Sequence, residues 1–142
     1  MKQLLLLTIS LFFVGFLQAQ TIQSDNYGTI GSISSSGKIE SRNYRSVGYI
    51  KSDGTIQDKN YSTIGYITSS GAIQDRKYSA VGYVKPDGTV QNASNSTIGY
   101  IKKDGTVQNR NYSTIGYASG VKTEWAAVVF FFFHFEDIDV KR

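Results

Sequence analysis

One feature of the sequence restricts the fold more than any other: a glycine recurs every 17 residues without a single insertion. Columns of tyrosine (with Asn95 as the exception), of isoleucine or valine, and of glutamine or glutamate keep the same step, and six such units fill the chain from Thr21 to about Val121. A strict period of this kind indicates a repeat architecture in which each unit is one small supersecondary structure. The two glycine series are Gly31, Gly48, Gly65, Gly82, Gly99, Gly116 and Gly37, Gly54, Gly71, Gly88, Gly105.

Each unit has the pattern of a β-hairpin. Segments such as YSTIGYI are rich in β-branched and aromatic residues, and TIQ or TVQ follows after a turn. In the clearest turn, KPDG at residues 85–88, proline and aspartate suit the central positions of a type I turn and Gly88 suits the left-handed bulge position. Such a loop places Val84 opposite Val90. The six units of the sequence therefore predict twelve short antiparallel strands.

A meander of strands has two unpaired edges, and an unvarying repeat favours closing it into a ring. A propeller is disfavoured because its blades need about 40 residues each, whereas a unit of 17 residues supplies only two strands. A parallel β-solenoid, whose repeats are usually longer, stays open as an alternative. We predict an all-β protein with one hydrophobic helix, in which a closed barrel occupies residues 20–122.

The C-terminal segment WAAVVFFFFHF differs from everything before it. A ring of twelve strands has a radius of about 12 Å, which its own side chains cannot fill, whereas a helix with a radius of about 5–6 Å can. We therefore predict a helical plug at residues 123–136, matched in height to strands of six or seven residues, and a polar tail at 137–142. The strand glycines predict the close approach of another backbone, with a simple bend of each strand as the alternative. For the tail itself, the alternative to a plug is insertion into a membrane. The predicted core residues are Trp125, Phe130, Phe131, Phe132, Phe133 and Phe135.

Residues 1–19 have the pattern of a secretory signal peptide: Lys2, an apolar run over residues 4–17, and Ala19 at the expected cleavage position. A retained signal anchor is the alternative, although the apolar run is shorter than the roughly 18 residues of a spanning helix. The sequence has no cysteine, which excludes disulfides, thiolate metal sites and lipoprotein acylation. We expect an exported protein of the periplasm, cell envelope or extracellular space.

Residues with catalytic potential are sparse. The only histidine of the sequence, His134, lies in the apolar tail, where a packed or helix-terminal role is expected. Aspartates such as Asp87 fall in turns, where they bond to the backbone, and no glycine-rich phosphate loop occurs. We predict a protein that is not an enzyme and that has no metal and no cofactor.

Basic residues of the turns between hairpins are predicted to gather at one mouth of a closed barrel. Such a rim suits an anionic lipid or envelope glycan, and solubility is the alternative role. Tyrosine columns could stack on sugar rings, but we expect them to pack in the wall. We expect no nucleic-acid partner and a monomer. The candidate anion-binding residues are Arg42, Arg45, Lys59, Arg76, Lys77 and Arg110.

The repeated YSTIGYI..DGTIQ units and the terminal EWAAVVFFFF resemble the β-flower proteins, in which hairpin petals surround a shallow barrel accompanied by a hydrophobic segment. The architecture is also similar to the Tubby C-terminal domain, a twelve-stranded barrel around a central hydrophobic helix, although no Tubby motif is present. The resemblance implies a fold and no established activity. Three hypotheses of function remain: a binding module of the cell envelope, a structural scaffold, and a membrane-associated protein that uses its phenylalanine-rich tail.

Overall fold

The computed structural model describes residues 20–141, so the predicted signal peptide lies outside the described residues. Twelve antiparallel strands form one closed barrel in which each strand pairs with its neighbours in sequence and β1 pairs with β12. The predicted closed barrel is confirmed, and the solenoid alternative is wrong. The strands are β1 (Gln20–Ser24), β2 (Thr29–Ile33), β3 (Lys38–Ser41), β4 (Ser46–Ile50), β5 (Thr55–Asp58), β6 (Thr63–Ile67), β7 (Ala72–Asp75), β8 (Ala80–Val84), β9 (Thr89–Asn92), β10 (Thr97–Ile101), β11 (Thr106–Asn109) and β12 (Thr114–Tyr117).

One end of the barrel, the glycine-turn rim, carries the predicted three-residue turns. At residues 85–88 the Gly88 amide donates to the Lys85 carbonyl at 2.9 Å, and Gly88 has a φ of +90°, which a side chain would strain. Val84 faces Val90 as predicted. The petal made by β12 and β1 has no such turn, because it joins the two ends of the repeat array.

A β-bulge in each unit decides which column faces inward. Between β5 and β6 the register shifts after Ile56, so Ile64 is the extra residue and packs half-buried against the core. Gly65 then faces the barrel interior and Tyr66 faces outward. The strands have four or five residues rather than the predicted six or seven, because the bulge and the turns take up the rest of each unit.

The predicted plug is confirmed. Helix α1 (Thr123–Ala127) continues into α2 (Val128–Phe132), a π-helix in which the Phe133 amide donates to the Val128 carbonyl at 3.0 Å. The helix ends at Phe132, earlier than predicted, and Phe133 is extended with φ −127° and ψ 147°. Among residues 20–141 no helix is long and apolar enough to cross a membrane.

The plug is wound more loosely than an α-helix, and its phenylalanines meet successive petals of the wall. An α-helix turns by about 100° per residue, which is more than the angle between neighbouring petals of a six-petal ring. The i→i+5 bonding of α2 turns less per residue, and successive phenylalanines meet the inward glycines of successive petals; a Cβ on Gly116 would lie 2.6 Å from the Phe130 ring. The strand glycines thus mark close approach both by a plug side chain and by a backbone carbonyl of the neighbouring strand. The pairs are Phe130–Gly116, Phe131–Gly99, Phe132–Gly82, Phe133–Gly65, Phe135–Gly48 and Ile138–Gly31, the last from the segment predicted to be a polar tail.

Candidate functional site

The tyrosines form two rings on the outside of the barrel. Strand alternation turns the wall tyrosines outward, because the neighbouring glycines face the plug. The turn tyrosines belong to the second rim, the tyrosine-turn rim, and are 65–85% exposed. The expectation that tyrosines pack in the wall is therefore wrong for the turn tyrosines, whereas the wall tyrosines lie on strands and are half-buried. The wall tyrosines are Tyr49, Tyr66, Tyr83, Tyr100 and Tyr117, and the turn tyrosines are Tyr27, Tyr44, Tyr61, Tyr78 and Tyr112.

All the turn tyrosines have left-handed backbones, with φ between 63° and 67°. In one turn the Tyr61 amide donates to the Asp58 carbonyl at 3.1 Å, and Asp58 Oδ1 accepts the amides of Asn60 at 2.9 Å and Ser62 at 3.1 Å. At the other rim the same position of the same turn is occupied by glycine. A left-handed L-residue costs about 1–2 kcal/mol, and Asn95, which replaces tyrosine in one turn, suits this conformation better. Strain that recurs at exposed aromatic residues makes those side chains candidates for a functional role.

Most turn tyrosines stack on a wall tyrosine. Ring centroids lie 4.5–4.7 Å apart with interplanar angles of 9–14°, and in three pairs the hydroxyls are 3.1–3.3 Å apart. The hydrogen bond to the partner hydroxyl is the main cause that raises one pKa in each pair. The remaining face of each turn tyrosine is open to solvent. The pairs are Tyr49–Tyr61, Tyr66–Tyr78, Tyr100–Tyr112 and Tyr27–Tyr117.

Two positions break the ring of pairs. Ser32 occupies the position of a wall tyrosine, so Tyr44 has no ring beneath it and is 85% exposed, against 65–66% for the stacked turn tyrosines. Asn95 occupies the position of a turn tyrosine, which leaves Tyr83 without a stacked partner.

An open groove of about 600 Å³ lies beside the Tyr100–Tyr112 pair. Gln108 lies directly opposite Tyr100 in the sheet and lines this groove. The Thr106 amide donates to Asp104 Oδ1 at 2.9 Å, and hydrogen bonding to Thr106 holds the pKa of Asp104 below its usual range. An aromatic platform is thus bordered by an amide, ammonium groups and carboxylates, which together can donate to and accept from several hydroxyls. The charged lining residues are Lys102, Lys103, Asp87 and Asp104.

These pairs were not predicted from the sequence, although two regularities of the sequence could have revealed them. Tyrosines recur 12 positions apart, as in Tyr49 and Tyr61, and the turn tyrosine falls where the other turn of the unit has glycine. The second regularity suggests a positive φ at the turn tyrosine, but bulky aromatic residues rarely adopt a positive φ.

The six basic residues predicted as a rim all lie in turns of the tyrosine-turn rim. They do not form one positive ring, because the C-terminal segment brings acidic residues to the same mouth. Lys59 Nζ lies 2.6 Å from Glu136, whose pKa is lowered by this hydrogen bond, and Arg45 lies 3.9 Å from Asp137.

The other predicted rim residues are less engaged. Arg42 lines a small cavity that acidic residues of the tail also line. Arg76, Lys77 and Arg110 lie in later turns and form no ion pair with any residue in the range 20–141.

His134 is exposed and lies two residues beyond the end of α2. Over the described range 20–141, no group of three or more His, Cys, Asp or Glu is placed to hold a metal ion. At the glycine-turn rim, a cavity of about 400 Å³ is bordered by Trp125 and by Lys122, whose ammonium lies 4.7 Å from the indole centroid.

One of three comparisons with known proteins finds a match. No curated protein and no solved structure matches the chain. A family model described as 5-fold beta-flower protein matches residues 19–134. Because this match covers the barrel and nearly all of the plug, the chain belongs to the 5-fold beta-flower family.

Proposed function

We propose that the protein is an exported, non-enzymatic binding protein of the cell envelope or extracellular space, and that it binds glycan chains through the tyrosine pairs of its outer wall. One observation carries the proposal: exposed tyrosines are held in a strained left-handed backbone where glycine or asparagine would suit the turn better. Stacking on a wall tyrosine offsets the strain in four of the turns, but Tyr44 keeps the strained backbone at 85% exposure with no ring beneath it, and a ligand that needs aromatic faces gives a reason for that choice.

The chemistry of the groove favours a sugar. The apolar face of a pyranose ring can lie on the open face of Tyr112, and its hydroxyls can bond to Gln108 and to the charged groups of the turn. Lys102 and Lys103 are balanced by Asp87 and Asp104, so the lining has no net charge. A neutral, hydroxyl-rich glycan therefore fits this groove better than a polyanion.

The interior of the barrel supports the same assignment. Phe130 is 0% exposed and the other plug phenylalanines contact the strand glycines. Insertion of the tail into a membrane would require removal of the plug from the core. Binding on the outer wall leaves the folded barrel intact.

The test compares the parent with a variant in which Tyr27, Tyr61, Tyr78 and Tyr112 are changed to Asn, the residue that the chain itself has at position 95. The probes are soluble β-1,4-linked chains of glucose and of N-acetylglucosamine, and binding is measured by calorimetry. We expect the parent to bind one of them and the variant to lose that binding with its thermal unfolding retained. The matched control is Tyr44→Asn, which removes an unpaired turn tyrosine. Binding that survives in the fourfold variant would refute the proposal.

A second candidate is binding of an anionic lipid or glycan at the tyrosine-turn rim. Arg76, Lys77 and Arg110 favour it, because the acidic tail residues pair elsewhere on this rim. The parent should then bind vesicles of acidic lipid at low salt and release them near 0.5 M salt, where the screening length falls to about 4 Å. The triple variant Arg42→Gln, Arg76→Gln and Arg110→Gln should lose this binding and keep its melting curve. Equal binding by parent and variant would exclude this candidate.

A further inference from the structure

The tyrosine pairs are not spread evenly around the barrel. Going around the wall, two neighbouring pairs are followed by the break at Asn95, two further neighbouring pairs and the break at Ser32. We call the two groups face A and face B. Face A consists of the pairs Tyr49–Tyr61 and Tyr66–Tyr78, and face B of the pairs Tyr100–Tyr112 and Tyr27–Tyr117.

The breaks lie on opposite sides of the barrel. Ser32 is on β2, and Tyr83, the tyrosine left without a partner by Asn95, is on β8. In the closed order of twelve strands, β2 and β8 are half a circuit apart in both directions. Faces A and B therefore point in opposite directions, separated by a barrel whose backbone diameter is about 24 Å.

Within each face the two platforms are separated by two strands. On a backbone circle of about 12 Å radius, equivalent points of neighbouring petals lie about 12 Å apart and the outward tyrosine rings lie farther apart, so about three linked pyranose rings cover the spacing. An extended β-1,4-linked chain presents ring faces along its length and can lie on both platforms of one face. The second contact is then intramolecular, so the face binds more tightly than either platform alone.

From this arrangement we propose that the protein is bivalent: each monomer binds two separate glycan chains, one on face A and one on face B, and thereby bridges them. This inference rests on the proposed function and adds to it the number of sites and the cross-linking activity. Six unbroken pairs would make one continuous belt, along which neighbouring chains compete for shared platforms. The breaks at Ser32 and Asn95 divide the belt into two faces that point apart.

The experiment uses variants that remove one face. One variant carries Tyr61→Asn and Tyr78→Asn, and the other carries Tyr27→Asn and Tyr112→Asn. Calorimetry with β-1,4-linked hexasaccharides of glucose or of N-acetylglucosamine gives the number of sites, and light scattering with the corresponding soluble long chains reports cross-linking. Sedimentation of the protein alone confirms that each variant is a monomer.

We expect two hexasaccharides per parent monomer and one per single-face variant. The parent should cross-link long chains, and each single-face variant should bind them without cross-linking. One site per parent monomer, one site per platform, or cross-linking by a monomeric single-face variant would overturn bivalency and leave the proposed function standing. Failure of the parent to bind either sugar would overturn both.

Discussion

Replacing a turn tyrosine by glycine measures how the chain balances backbone strain against stacking. Tyr44 and Tyr61 have nearly the same backbone, with φ of 63° and 64°, in equivalent turns. Tyr61 stacks on Tyr49 at a centroid distance of 4.6 Å, whereas Tyr44 has Ser32 where the partner ring would be. The substitutions Tyr44→Gly and Tyr61→Gly therefore differ mainly in the stacked ring that is lost.

The expected free energies of unfolding follow from these contacts. Relief of the left-handed strain favours glycine by about 1–2 kcal/mol, and the larger freedom of glycine in the unfolded chain opposes it by about 0.5–1 kcal/mol. Tyr44→Gly should thus stabilise the protein by up to about 1.5 kcal/mol. Tyr61→Gly also loses a stacked pair that contributes about 0.5–1.5 kcal/mol, so it should be neutral or mildly destabilising.

Thermal and urea unfolding of the parent and both variants measure the difference. For a domain of this size, a separation of about 1 kcal/mol corresponds to about 4 °C in Tm. Equal shifts in the two variants would show that stacking contributes nothing. Destabilisation by Tyr44→Gly would show that the tyrosine backbone is not strained, and the argument from strain to function would fail with it.

Three further predictions concern the core and the tyrosine hydroxyls. Gly82→Ala should destabilise by about 1–3 kcal/mol, because the new Cβ would overlap the Phe132 ring and a strand carbonyl, whereas the exposed Gly28→Ala should change Tm little. A chain that stops before Thr123 should lose cooperative thermal unfolding, and a sharp transition would contradict the plug. Spectrophotometric titration should resolve one phenol of each pair that ionises above its ordinary pKa near 10. Since the pKa of this phenol is raised in the folded state, its contribution to the free energy of unfolding is complete below about pH 10 and is lost as the pH rises through the folded pKa. A single titration with no raised pKa would contradict the hydroxyl pairing.

The barrel was predictable because each local pattern occurs in every unit. The KPDG turn predicted both the left-handed Gly88 and the pairing of Val84 with Val90, and the structure confirms both. The unfilled radius of a twelve-stranded ring predicted that the apolar tail is core. Consistent local signals repeated at one period leave few alternative folds.

The outer wall was not predictable to the same degree. Strand alternation alone cannot assign the inward column, because the bulge at Ile64 shifts the pattern within each unit. An aromatic residue at φ near 64° is disfavoured, so sequence reasoning places Tyr61 in an ordinary turn conformation. The end of the helix at Phe132 depends on the fit of phenylalanines to the petals, which appears only in three dimensions.

Tolerance to change differs between the inside and the outside of this barrel, and the difference bears on function. The inward glycine column has no exception in any unit, since at Gly116 a Cβ would already lie 2.6 Å from the Phe130 ring. The tyrosine columns have exceptions at Ser32 and Asn95, where a lost ring leaves the strands paired and the core filled. Substitutions on the outer wall therefore alter the number and position of aromatic platforms at little cost to folding. If the platforms bind glycans, one plugged barrel can serve different ligands through the pattern of its tyrosines alone, and Asn95→Tyr together with Ser32→Tyr is the pair of changes that would turn two faces into one belt.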